Sequence, residues 1–593
     1  MKRSFLWRKA LRFSALHCGS ISNTLRCVAL LIATLLAGAS QADSGAKPRQ
    51  AAHAKHYMVA AAHPLAVAAG IKMLEKGGSA IDAAIATQLV LNLVEPHASG
   101  LGGGAFMLFY DKKADAIRAY DGRETAPEAV TPTLFTQPDG KPMDFNAAVI
   151  GGRSVGVPGV VRLLELAHAR HGRLAWATLF QPAIDIAEKG FPLSPRLHAF
   201  LQQDEGLLRD PIAKAYFFTP DGKPKASGTL LKNPEFARTL RALAARGAEA
   251  FYSGGIARDI VAAIRNHPFN PGMMTEQDLK TYRVREVEAL CAPYRAYRVC
   301  SMPPSSSGGI AVLQILGMLS RFDMAGVHPG SVLALHLISE AERLAFADRN
   351  RYVADDRFAE VPTQGLLDAA YLAERSRLIS EDKSLGIATA GVPPGSKLGL
   401  ADDVVDEASG TSHISIIDRD GNALSMTTTI EYGFGSHIMV RGFLLNNQLT
   451  DFNFLPLEDG VLVANRVYPG KRPRSSMAPS LVFDNGGKLY MVVGSPGGSQ
   501  IIGYVVKTLI ATLDWGMDMQ AAIDLANFGS RNGPTEIEKV KSNENEKLSG
   551  ALKALGHEVR VIDMTSGIHG IVKTQQGWEG GADLRRDGVA WGR

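Results

Sequence analysis

The stretch from Gly410 to Ile430 constrains the fold of this chain more than any other. Ile414-Ser415-Ile416-Ile417-Asp418 is a β-branched run, Asp420-Gly421-Asn422 is a turn, and a second run begins at Ala423. That pattern predicts a hairpin. Upstream lie Ala388-Thr389-Ala390-Gly391-Val392-Pro393-Pro394-Gly395 and the acids Asp402-Asp403 and Asp406-Glu407. Pro and Gly at that density predict an exposed loop. Gly410-Thr411-Ser412-His413 therefore stands where a loop enters a strand. A chain that cuts itself there leaves Thr411 as a new N-terminus, and the freed α-amine can act as base for the threonine's own hydroxyl. The plainer reading of the same residues is that Thr411 merely opens a strand.

Residues 1–42 read as a leader, not as part of the globule. Lys2, Arg3, Arg8, Lys9, Arg12 and Arg26 are unaccompanied by any acid, and Cys27 to Ala39 is apolar but short for a membrane span. Ser40-Gln41-Ala42 then offers small residues of the kind a signal peptidase reads, which predicts a secretory signal cleaved after Ala42. An uncleaved anchor is the alternative, and Lys2-Arg3 is only a faint twin-arginine pattern. The formal charge of +5 loses six positive charges with the leader and falls near −1, so no basic surface points to nucleic acid. Cys18 and Cys27 leave too. Cys291 and Cys300 flank a predicted tight hairpin, where an oxidising periplasm allows a bridge and distance could equally leave two free thiols. Their spacing fits no metal site.

A length of 593 residues predicts two to four domains. Apolar spacing predicts helices over 63–78 and 80–93, the second buried nearly all round. His97-Ala98-Ser99-Gly100-Leu101-Gly102-Gly103-Gly104 follows, then a strand over 105–110. That glycine loop lacks the Lys-Ser/Thr of a P-loop and the order of a dinucleotide fingerprint, so it reads as close backbone packing beside a site, with no cofactor. From 157 to 382 the chain reads as mostly helical, including 160–171, 176–189 and 334–349, with a short strand near 297–299. After Thr411 the texture turns to β, over 411–418, 423–430, 443–446, 480–483 and 489–493, with a helix over 501–513. Strands with helices on their faces predict a layered α+β protein.

Seven motifs then occur in order. They are Ser99-Gly100-Leu101-Gly102-Gly103-Gly104; Asp121-Gly122-Arg123-Glu124-Thr125-Ala126-Pro127; Pro303-Pro304-Ser305-Ser306-Ser307-Gly308-Gly309; Gly410-Thr411-Ser412-His413; Leu445-Asn446-Asn447-Gln448 with Asp451-Phe452; Pro469-Gly470-Lys471-Arg472-Pro473-Arg474-Ser475-Ser476-Met477; and Gly494-Ser495-Pro496-Gly497-Gly498-Ser499. In this series the sequence resembles the γ-glutamyltransferases (γ-glutamyltranspeptidases) of the N-terminal nucleophile hydrolases, across essentially the whole chain after the leader.

The resemblance implies a four-layer αββα sandwich, built jointly by a large subunit (43–410) and a small one (411–593) after self-cleavage between Gly410 and Thr411. It implies that Thr411 is the nucleophile, that Thr429 hydrogen-bonds and holds it, and that the backbone N–H groups of Gly497 and Gly498 form the oxyanion hole. Arg123, with Ser475 and Ser476, would take the donor's α-carboxylate, a task suited to a guanidinium fork. Asp451, Gln448 and Glu431 would take its α-ammonium. No metal and no cofactor are implied.

The sequence departs from the family pattern at two places. Glu431 stands where Asn is common, which adds a full charge. The span 453–470 is shorter than the lid-bearing loop of some relatives, and Tyr468 near its end does not align with the lid residue. His413 reads as structural, or at most as a helper of self-cleavage. The function implied is a periplasmic γ-glutamyltransferase and glutathione hydrolase, acting on glutathione and related γ-glutamyl compounds with water, amino acids or dipeptides as acceptors. A glutaryl (cephalosporin) acylase on the same scaffold is the alternative, and an unprocessed periplasmic binding protein for glutamyl peptides is the distant one.

Overall fold

The architecture follows from the hairpin that the sequence announces. Gly410–Ile417 and Ala423–Glu431 pair antiparallel, with Thr411 opposite Thr429 and His413 opposite Thr427. Alternation along a strand sends Ile414 and Ile416 to one face and Thr411, His413 and Ser415 to the other. Ile414 and Ile416, with Leu424 and Met426, join a core shared with the helices Pro64–Glu75, Ala80–Val94, Val160–His171 and Trp176–Lys189. The opposite face meets a second sheet. Ser415 Oγ donates to the carbonyl of His569 at 3.0 Å, and Ser425 Oγ donates to that of Val493 at 3.0 Å.

The computed structural model describes residues 50–397, 399–403, 410–540 and 544–593. The predicted leader lies outside them. The first seven-stranded sheet runs, edge to edge, Val589–Gly592, Met58–Ala61, Gly410–Ile417, Ala423–Glu431, Gly104–Asp111, Ala116–Gly122 and Arg285–Val287. The second runs Ala52–Ala54, Gly577–Ala582, His569–Thr574, Leu489–Gly494, Ser480–Phe483, Tyr297–Ser301 and Leu290–Tyr294. Every neighbouring pair in both is antiparallel. The helices Gly308–Leu319, Val332–Tyr352 and Ile501–Leu513 share a core with residues of the second sheet, which completes an αββα sandwich.

Both sheets take strands from before and after residue 410, so residues 50–593 form one compact unit and not the several domains that length predicts. Most helices lie close to their predicted bounds. Ser79 and Asp82 form a reciprocal capping box at the start of Ala80–Val94, which is buried along its whole length. The predicted strand over 443–446 is cut to Phe443–Leu444. Asn446 is drawn off instead, donating from Nδ2 to the carbonyls of Gly102 and Gly156 and accepting the Gly156 N–H. Cys291 and Cys300 face each other in register and are bridged, with Cα atoms 4.1 Å apart. No helix among the described residues is long and apolar enough to cross a membrane.

Candidate active site

Nine of the ten residues that the sequence assigns to catalysis or donor binding line one cleft of about 230 Å³: Arg123, Thr411, Thr429, Glu431, Gln448, Asp451, Ser475, Ser476 and Gly498. Gly497 is the neighbour of the last. Met477 and Ile501 supply the apolar part of the lining.

Thr411 enters this cleft from the first turn of its strand, where the register shifts between Gly410 and Thr411. Its hydroxyl donates to Thr429 Oγ1 at 3.1 Å. The Thr429 hydroxyl donates in turn to the Gly410 carbonyl at 2.6 Å and accepts the Glu431 N–H at 2.8 Å. One hydroxyl thus touches both sides of the Gly410–Thr411 peptide. On the other side, Arg586 Nη1 donates to the Thr411 carbonyl at 2.7 Å, and Ser412 Oγ donates to Glu95 Oε2 at 2.6 Å. Glu95 also accepts from Arg196 at 3.0 Å. Burial and the nearby Arg196 pull the Arg586 pKa down to about 10, against the pull of Glu95.

The charged end of the cleft is built from three loops. Arg123 follows the strand Ala116–Gly122, and its Nη2 donates to Asp451 Oδ2 and, at 2.8 Å, to the Arg474 carbonyl. Its Nε donates to the Pro473 carbonyl at 3.2 Å. Asp451 closes the short turn Gln448–Asp451, and Gln448 Nε2 donates to the same Asp451 oxygen at 2.6 Å. Arg123 therefore spans neither of the neighbouring acids first. Glu124 lies 3.9 Å away, and burial lifts its carboxyl to about 8 against the opposing pull of the Arg123 guanidinium. Glu431 sits at φ 80° and accepts from Asn447 Nδ2. Ser475 Oγ accepts the Met477 N–H at 3.1 Å, and Ser476 Oγ accepts from Arg349 Nη2 at 2.7 Å.

The strand Leu489–Gly494 delivers the chain to Gly497 and Gly498, which lead through a short turn into the helix Ile501–Leu513. Gly497 has φ 137°, and a Cβ there would lie 2.5 Å from the Tyr504 ring, so only glycine fits. Unpaired N–H groups at a helix start favour negative charge. Behind the turn, Ser499 Oγ takes a hydrogen bond from Arg531, and Glu536 receives both Arg531 and Gln500.

His413 does not reach the cleft's chemistry. Its ring nitrogens meet Thr427 Oγ1 at 2.8 Å and Ser415 Oγ at 3.1 Å, and burial, then His569, hold its pKa well below the usual histidine value. The short span after Phe452 forms a hairpin, Leu457–Glu458 with Val461–Val463, and contributes nothing to the cleft lining. Tyr468 is half-exposed and packs against Phe358.

The roles of Arg586, Asn447 and Arg349 at this site escape sequence reasoning. Arg586 follows Thr411 by 175 residues and sits in no motif.

Among the described residues, one trio has the spacing to hold a metal: His336, Glu340 and His557, all buried. Its members are also hydrogen-bonded. His336 bonds the Ser380 carbonyl and His557, whose other nitrogen meets Thr535 Oγ1, and Arg343 pairs with Glu340.

Residues 66–592 match the family described as Gamma-glutamyltranspeptidase. Among curated proteins, the glutathione hydrolase proenzyme of Bacillus subtilis (strain 168) is 36% identical over 588 residues, which is 95% of this chain and 98% of the relative. Among solved structures, cephalosporin acylase from Bacillus halodurans superposes with a TM-score of 0.80 at 27% identity, covering 93% of this chain and 98% of that one. The Helicobacter pylori gamma-glutamyltranspeptidase aligns at 33% identity with a TM-score of 0.52, over 54% of this chain and 91% of its own. The chain belongs to the gamma-glutamyltranspeptidase family.

Proposed function

We propose that this chain is a self-processing, periplasmic γ-glutamyltransferase and glutathione hydrolase in which Thr411 is the nucleophile. The observation that carries the reading is the contact of Arg123 with Asp451 in the cleft that Thr411 enters. A γ-glutamyl donor bears its carboxylate and its ammonium on one carbon, so the groups that receive them must be neighbours. A cation and an anion side by side suit such a zwitterion, and the donor exchanges their mutual pair for two new ones.

In processing, the Thr411 hydroxyl adds to the Gly410 carbonyl, polarised by Thr429 Oγ1. The C–N bond breaks, the proton passes to the amine, and water resolves the resulting ester into residues 43–410 and 411–593 as two subunits. In turnover, the freed α-amine, with a reference pKa of about 8, takes the hydroxyl proton. The oxygen adds to the γ-carbonyl, and the Gly497 and Gly498 N–H groups receive the oxyanion. The leaving amine departs with the proton, and water, an amino acid or a dipeptide amine then releases the γ-glutamyl group. Arg123, Ser475 and Ser476 hold the carboxylate; Asp451, Gln448 and Glu431 hold the ammonium.

An acylase for glutaryl amides is the second reading, supported by the likeness to cephalosporin acylase and by a cleft with no lid residue in its lining. Rates on a γ-glutamyl anilide and a glutaryl amide discriminate, because only the former brings an ammonium to Asp451. A γ-glutamyl preference that Asp451→Ala abolishes supports the transferase, whereas a glutaryl preference overturns it.

A further inference from the structure

The segment that precedes the proposed cleavage bond is built into the back of the donor site. Leu400 and Ala401 pair in parallel with Leu462 and Val463. Carrying that register two residues further sets Asp403 beside Asn465. The two acids in tandem then part company. Asp402 faces outward and pairs with Arg351 at 2.7 Å, while Asp403 is fully buried. A buried carboxylate is tolerated only when paired and hydrogen-bonded. Asp403 accepts from Asn453 Nδ2 at 3.1 Å, from Asn465 Nδ2 at 2.8 Å and from Arg474 Nη2 at 3.0 Å.

Those partners are the supports of the donor clamp. Asn465 Nδ2 also donates to the Asp451 carbonyl at 2.7 Å, and Asn465 Oδ1 accepts the Arg474 N–H at 3.0 Å. The Arg474 carbonyl takes Arg123 Nη2 at 2.8 Å. Asp451 and Arg123 are therefore each one residue removed from Asp403, by separate routes. The Asp403 N–H adds a third tie, to the Asn350 carbonyl at 3.0 Å, beside the Arg349 that bonds Ser476. Asn453, Asn465 and Arg474 all follow Thr411, whereas Asp403 precedes it by eight positions.

We propose that Asp403 is a positioning residue of the donor site, which ties the end of the large subunit to Asn465 and Arg474 of the small one and so sets Asp451 and Arg123 for the zwitterion. The proposal rests on the function given above. Cleavage then leaves Asp403 in place, and the large subunit remains a structural part of the site that it unmasks. Partners that orient a binding residue from behind are held to close tolerance, and their loss weakens binding more than chemistry.

The test is steady-state kinetics on a γ-glutamyl anilide with processed wild type, Asp403→Asn, Asp403→Glu, Asn465→Ala, Asp402→Asn and Asp451→Asn, with subunit content read on a denaturing gel. Asp403→Asn and Asn465→Ala are expected to raise KM roughly tenfold or more while kcat changes by less than about threefold, the pattern of lost donor binding. Asp402→Asn removes the same charge at the surface and leaves KM unchanged, and Asp403→Glu recovers part of the loss. Should Asp403→Asn fail to accumulate as two chains, Asn465→Ala, which keeps the Asp403–Arg474 pair, decides alone. Unchanged KM in the Asp403 and Asn465 variants, with a large rise in Asp451→Asn, overturns the proposal and leaves the transferase reading intact. Absence of turnover in wild type overturns both.

Discussion

Thr429 is the residue on which self-processing should depend most sharply after Thr411. Its hydroxyl donates to the Gly410 carbonyl at 2.6 Å and accepts from both the Thr411 hydroxyl and the Glu431 N–H. Thr429→Val keeps the shape of the side chain and its β-branched fit to the strand but removes all three bonds. The bond to the Gly410 carbonyl strengthens as that oxygen gains charge, and a donor to a developing oxyanion is worth about 3 kcal/mol, or roughly two orders of magnitude in rate. The buried Glu431 N–H, left without its partner, costs about 1–3 kcal/mol of stability in addition. The assay follows the appearance of two chains on a denaturing gel after synthesis. Thr429→Val should process roughly a hundredfold more slowly than wild type, with Thr429→Ser close to wild type. A Thr429→Val chain that processes within about threefold of wild type refutes the argument, since it would mean that the scissile carbonyl needs no donor from this side.

The same geometry yields three further expectations. Gly497→Ala places a Cβ 2.5 Å from the Tyr504 ring at φ 137°, so anilide turnover should fall mainly in kcat; a normal kcat would detach this turn from the oxyanion. Glu431→Asn removes a carboxylate from the cleft and should raise KM for a γ-glutamyl anilide roughly tenfold, with a smaller effect on a glutaryl amide, as expected for a charged hydrogen bond; equal effects on both would remove Glu431 from the ammonium. Glu342, buried and accepting the Ser530 N–H at 2.6 Å, has its carboxyl lifted by burial from 4.5 to about 8. The folded chain holds a proton there that the unfolded chain releases, so this contribution is full below pH 4.5 and is lost as pH rises through about 8. Urea midpoints between pH 5 and 8 should therefore fall more steeply in wild type than in Glu342→Gln, and parallel slopes would contradict the assignment.

Much of this was readable from the chain because local signals and tertiary demands agree. The helices Val160–His171, Trp176–Lys189 and Ile501–Leu513 begin and end where apolar spacing places them. The hairpin at Thr411 was legible because a polar turn separates two β-branched runs. Other features leave no local trace. Leu400–Ala401 is a strand of two residues, too short for any period, and its partner lies some sixty positions away. Arg586 reaches the Thr411 carbonyl only because the last strand of the chain sits in the same sheet. The pairing of Cys291 with Cys300 turned on register, which spacing alone left open. Length predicted several domains because it cannot register that strands from both halves of the chain interleave in each sheet. At the site, the residues were named from motifs, but the direct contact of Arg123 with Asp451 was not, and on the function proposed above that contact is what would suit the cleft to a zwitterion.

The central claim is that Thr411 ends its life as a chain terminus. Intact-mass and N-terminal analysis of the purified protein tests it directly. Two chains are predicted, the smaller starting Thr411-Ser412-His413, with Thr411→Ala remaining whole. A single uncut chain from wild type, with Gly410 still joined to Thr411, would contradict it.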